Sequence, residues 1–201
     1  MPSSTSPRLM GCLLPLAAVI LMVGGFAAYV KLLSWYEDSH PPAAAPPDLC
    51  AAIGSGLFER LVPDGVPESK AIYSSGPDAA CEYYTAEDRP IGSDSYGFLG
   101  VRLLRYGQVG WDSGAERAAD ALVESCAGSS VAGQFHTTSG LGDAACAVDS
   151  DEGEGGTGKG SAVVRRGADL FWVNFYTHPG TAEQARQAVT ETALAALQAV
   201  R

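Results

Sequence analysis

Four cysteines, Cys50, Cys81, Cys126 and Cys146, stand at spacings that suit disulfides rather than metal or thiol-redox chemistry. None falls in a C-x-x-C pair or near a histidine at zinc-site spacing. Four cysteines allow three pairings. The favoured one is sequential, Cys50 with Cys81 and Cys126 with Cys146. An even set of this kind in a small domain points to an oxidising compartment. A second group with chemical potential is the acidic run Asp149, Asp151, Glu152 and Glu154. Hard oxygen ligands suit calcium, so these four are a weak calcium candidate. Their spacing departs from an EF-hand loop, because the glycine comes one position early and no glutamate closes the loop. A solvated acidic loop explains them as well, and no metal or other cofactor is expected.

The glycine-rich segment Gly153-Glu154-Gly155-Gly156-Thr157-Gly158-Lys159-Gly160 nearly matches a phosphate-binding loop. Gly160 stands where a Ser or Thr must reach magnesium, and acidic residues rather than a hydrophobic strand lead in. Nucleotide binding is therefore not expected, and the glycines read as a hairpin loop. No Gly-x-Ser-x-Gly elbow accompanies the serines, and the histidines are scattered at 40, 136 and 178. No catalytic residue is assigned. A hydrolase would require a Ser or carboxylate within about 3 Å of a histidine in a cleft. Tyr83, Tyr84, Trp111, Trp172 and Tyr176 are the residues to inspect for a ligand-facing surface, since amphipathic rings serve binding faces as well as cores.

These residues need a scaffold, and the scaffold begins with a membrane segment. Leu9 to Val30 contains no charged residue. A helix over it rises about 33 Å at roughly 1.5 Å per residue, enough to cross a bilayer core. Arg8 and Lys31 flank it almost symmetrically, so basic residues alone do not orient it. The cysteines do. They put residues 1–8 in the cytoplasm, 9–30 in the membrane and the rest outside, as a single-pass signal anchor of the cell membrane. A cleaved signal peptide, with Gly25-Phe26-Ala27 as its cleavage site, is the rival reading.

Residues 31–47 form a Pro/Ala-rich linker, with SWYEDSHPPAAAPP as an extended spacer. All 23 acidic residues lie beyond residue 31, whereas two of the 13 basic ones do not, so the external part is more acidic than the chain's −10. That balance excludes broad contact with nucleic acid phosphates.

Residues 48–201 are expected to form one α+β domain, a mostly antiparallel sheet with helices packed on one face. Asp48 caps a first helix. Strands follow over 70–75, 80–85 and 96–106. Ser113 and Glu116 make a capping box for a second helix that Gly128 ends. A short strand spans 145–148. Gly167 turns a hairpin between 160–166 and 169–177. Phe171, Val173 and Phe175 face one way and Leu170, Trp172 and Tyr176 the other, so this strand is expected to be central and covered on both sides. Thr181 and Gln184 cap a last helix.

A helix cysteine, Cys50, a strand segment Cys81-Glu82-Tyr83, the motif Gly140-Leu141-Gly142-Asp143-Ala144-Ala145 and a terminal helix occur here in that order. Together they resemble secreted actinobacterial lipoproteins of a domain-of-unknown-function family, over most of residues 48–201. In that family a helix cysteine pairs with a Cys-x-Trp strand. Two departures stand out: Tyr83 occupies the Trp position, and a membrane span replaces the lipobox. The resemblance implies an α+β domain facing the cell envelope and no catalytic residue. The expected function is non-enzymatic binding of an envelope ligand or protein partner. A structural envelope protein acting through protein contacts is the alternative, and a secreted hydrolase a third.

Overall fold

The computed structural model describes residues 10–68, 72–86, 95–153 and 156–200, without the side chains of 10–21 and 37–39. It divides into two units, residues 1–41 and 42–201. The first holds one helix, α1 (Met10–Ser39). Among the described residues no helix is long and apolar enough to cross a membrane. The expected span starts at Leu9, and the side chains of its first half lie outside the described residues. Helix α1 runs to Ser39, so the first part of the spacer is helical where extended chain was expected, whereas residues 40–47, with its four prolines, lie outside any helix.

The second unit begins at Pro42, earlier than composition indicates. Ala45 is buried, its N–H donates to Gly76 O at 2.7 Å, and Ala44 O accepts from Arg105 Nη1 at 2.9 Å. These alanines belong to the domain. Short helices α2 (Leu49–Ile53) and α3 (Ser55–Leu61) follow, the first capped by Asp48, whose carboxylate accepts from Ala51 N–H at 2.8 Å. Strands β1 (Gly65–Pro67), β2 (Tyr73–Ser75), β3 (Asp78–Thr85) and β4 (Tyr96–Arg105) come next. Part of the expected strand over 70–75 lies outside the described residues; the rest is β2.

Helix α4 (Gly114–Ala127) starts with the Ser113/Glu116 capping box and ends at Gly128. Small strands β5 (Ser129–Ser130) and β6 (Gly133–Gln134) pair with each other, and β7 (His136–Thr138) joins the main sheet. Strands β8 (Ala144–Ser150), β9 (Gly158–Arg166) and β10 (Asp169–His178) lead to α5 (Ala182–Ala199), capped by Thr181 and Gln184.

The main sheet runs β1-β3-β4-β10-β9-β8-β7, with β2 on β3, and every pairing is antiparallel. Strand β10 sits at its centre. Side chains alternate between faces along a strand. One face carries Leu99, Val101, Leu103, Phe171, Val173 and Phe175 and packs against α2 and α5, with Phe58 of α3 in the same core. The other carries Val163, Leu170 and Cys146 under Leu122 of α4. Helices therefore cover both faces, not one. The cause is β10 itself, whose apolar residues on both sides each require a cover.

The disulfides are Cys50–Cys81 and Cys126–Cys146, with Cα separations of 5.2 and 5.9 Å. The first ties α2 to β3. The second ties the end of α4 to β8.

The motif 140–145 has a structural role. Leu141 is buried, Asp143 N–H donates to Arg165 O at 2.8 Å, and Asp143 Oδ2 accepts from Gly167 N–H at 2.6 Å. The segment thus braces the tight turn between β9 and β10.

Candidate functional site

Helix α4 is shorter than the sheet it covers, and the uncovered part of that face forms the site. Along β10 the outward positions are Leu170, Trp172, Asn174, Tyr176 and His178. Leu122 and the Cys126–Cys146 disulfide roof over the first of these. Beyond Trp172 the helix has ended. An open groove of about 720 Å³ remains between the sheet, the end of α4 and the β5–β6 turn. Its floor is Phe98, Val163, Trp172, Asn174 and Tyr176; its wall is Ser125, Ser129, Ser130, Val131 and Phe135. No residue of this lining carries a charge.

Register builds the floor. Phe98 on β4 lies directly opposite Tyr176 on β10. Their rings stack with centroids 5.2 Å apart and planes 16° apart. Tyr96 lies opposite His178, and those rings stack at 4.9 Å and 14°. Offset stacks of this kind fix ring orientation beyond what burial alone does. Trp172 is held from two sides. Its Nε1–H donates to Ser125 Oγ at 3.3 Å, and the Arg102 guanidinium sits 5.5 Å from its ring centroid. Arg102 is itself held by Asp78, with 3.1 and 2.7 Å hydrogen bonds. Ser161 Oγ donates to Asn174 Oδ1 at 2.9 Å, so the N–H groups of this exposed amide are the ones offered to a ligand. Burial pushes the Tyr176 phenol above its ordinary pKa, with smaller contributions from Tyr96 and Glu82. The hydroxyl therefore stays protonated.

Two of the five expected ligand-facing aromatics, Trp172 and Tyr176, meet in this groove. Tyr84 lies on the same face, opposite Phe98 on the far side of β4, and is half-buried. Tyr83 points to the other face, where it is 7% exposed and stacks on Phe58 at 4.8 Å. It is a core residue. Trp111 is 71% exposed in the connection between β4 and α4, away from the groove lining. Phe98, Phe135 and Asn174 escaped sequence inspection. The available signal was Phe98, an aromatic on the strand face opposite Leu99 and Val101.

The acidic run does other work. Asp151 Oδ2 accepts from Ala182 N–H at 3.0 Å and its Oδ1 from Gly153 N–H at 3.2 Å. These bonds hold its carboxyl below the usual range, the Ala182 contact contributing most. Glu152 is paired with Lys159 at 2.5 Å. Glu154 lies outside the described residues. Among the described residues no group of three or more His, Cys, Asp or Glu is placed to hold a metal ion.

A histidine meets a hydroxyl in one cluster of the described residues. Thr157 Oγ1 lies 3.5 Å from His178 Nδ1 and 3.1 Å from the Tyr96 hydroxyl. Thr157 is 6% exposed, and its hydroxyl is shared between two partners. That distance exceeds a nucleophile–base hydrogen bond. Comparison of the chain with protein-family models, with curated proteins and with solved structures finds no match.

Proposed function

We propose that this protein is a membrane-anchored domain displayed outside the cytoplasm, where it binds an envelope ligand in the groove beside α4 without chemical turnover. The observation that carries this reading is the lining: four aromatic rings, Phe98, Phe135, Trp172 and Tyr176, around an exposed amide, with no charge. Concave sites with apolar walls and a few convergent polar groups are the usual form of ligand pockets. The two disulfides support an oxidising location. The uncharged run before Lys31 supports the anchor.

The test is a thermal-shift panel of envelope lipids, glycans and peptides on the full chain in lipid nanodiscs, followed by hydrogen exchange. A ligand should raise the melting temperature and slow exchange over residues 129–135 and 172–176. If no component does so, or protection falls elsewhere, the groove is not the site. Impermeant thiol alkylation of intact cells tests the topology. Labelling should require prior reductant but not lysis.

A second reading is favoured by exposed apolar side chains, one of them at the groove's edge. Val123 and Val131 are each 70% exposed on α4 and the β5–β6 turn. Apolar side chains on that side suit a protein partner in an assembly role. Crosslinking through Val123→Cys distinguishes this reading from the first.

A further inference from the structure

Building on the groove as the binding site, we infer that its ligand is a neutral, unbranched oligosaccharide laid along β10.

Length comes first. Trp172, Asn174 and Tyr176 share the groove's face of β10, and five residues of antiparallel strand span about 14 Å. Phe98 doubles the row from β4. A floor this long and open suits an extended chain rather than a single small molecule. A lipid tail would need an enclosed slot, and the exposed Asn174 stands in the middle of this floor.

Charge comes second. The chain carries −10, yet the lining contains no acid and no base. The nearest cation over the rings, Arg102, is already neutralised by Asp78. An anionic polymer finds no partner here, so the ligand is uncharged.

Chemistry comes third. A sugar ring offers an apolar C–H face to an aromatic ring and hydroxyls around its edge. Phe98, Trp172 and Tyr176 supply the first kind of contact. The Asn174 amide and the serine hydroxyls at 129 and 130 supply the second. A proline-rich peptide is the competing occupant, since aromatic grooves also take polyproline helices. Its carbonyls only accept, and the Trp172 Nε1–H is already committed to Ser125. The serine hydroxyls at 129 and 130 both donate and accept, which sugar hydroxyls match on both counts and proline carbonyls on one.

The experiment is calorimetric titration of the full chain in nanodiscs. The probes are neutral hexasaccharides of β-1,4-linked N-acetylglucosamine, β-1,4-linked glucose and α-1,6-linked mannose, their monosaccharides, and a proline-rich decapeptide. At least one hexasaccharide should bind saturably, and its monosaccharide at least tenfold more weakly. Tyr176→Ala should weaken binding about tenfold, the order expected for loss of one stacked ring. Asn174→Ala, at an exposed position, should weaken it similarly with an unchanged circular dichroism spectrum. Failure of every saccharide to bind, or binding indifferent to both substitutions, overturns the inference. Decapeptide binding that Asn174→Ala abolishes, with no saccharide bound, also overturns it but leaves the groove standing as the site.

Discussion

The Phe98 ring lies over Gly100, so close that a Cβ at position 100 would fall 2.7 Å from Phe98 Cζ and 3.0 Å from Cε1. The missing side chain is what lets the ring settle against the sheet and stack on Tyr176. Gly100→Ala should therefore tilt Phe98 out of that stack. The ring is a movable side chain, so the stability cost should be modest, about 1 kcal/mol. The effect on ligand binding should be larger in proportion. A denaturant midpoint measured beside an affinity separates the two.

The ion pair behind Trp172 predicts an acid sensitivity. Hydrogen bonding from Arg102 holds the Asp78 carboxyl below its ordinary range, against the opposing effect of partial burial. A folded-state value below the unfolded one means that the pair stabilises above the ordinary carboxylate range. That contribution is lost as pH falls through the depressed value, below about pH 4. Arg102 is half exposed, so the contribution should not exceed about 1 kcal/mol. Asp78→Asn should flatten this part of the stability–pH curve. It should also broaden Trp172 fluorescence, because Arg102 loses its anchor.

The Cys126–Cys146 bridge closes a loop with a sequence separation of 20. In the chain-entropy account a loop of this size contributes about 3 kcal/mol. Replacing both cysteines with serine should lower stability by that order. It should also loosen the end of α4, which carries Ser125, the partner of the Trp172 indole. Faster exchange at residues 122–130, with residues 49–53 unchanged, is the expected signature.

Gly142 has φ +58°, and a Cβ there would sit 2.3 Å from Arg165 O, an immovable backbone atom. Gly142→Ala should cost more than about 2 kcal/mol, since it combines backbone strain with a steric clash. Asp143→Asn, which keeps the geometry, should cost much less. Thermal unfolding of the two variants provides the comparison.

What could be read in advance was local. The two capping boxes, the Gly167 turn and the both-sided apolarity of β10 are each written within a few neighbouring residues. The structure carries all three as expected. The sequential disulfides also matched, each joining a cysteine to the next one along the domain at separations of 31 and 20 residues.

The misses are non-local. Nothing near Ala45 announces that it packs under Gly76, and nothing in the acidic loop announces that Asp151 caps the last helix. The placement of α4 on the second face depends on α5, far along the chain, covering the first. The groove was half legible for the same reason. Trp172 and Tyr176 stand on one strand and could be paired by their spacing. Phe98 joins them only through a register that links β4 to a strand arriving much later.

That late pairing governs how the molecule can be made. Arg105 meets Asp169 across a separation of 64 residues, and the central strand is almost the last piece of the chain. Strand β4 has a neighbour on one side only until β10 arrives, and the Phe171 face of β10 has no helix over it until α5 follows. Contacts this distant in sequence make folding slow, with little to gain from partial chains. A polypeptide emerging N-terminus first must be delivered almost whole before any of it closes. A stop codon anywhere before β10 should leave protease-sensitive debris rather than a smaller domain.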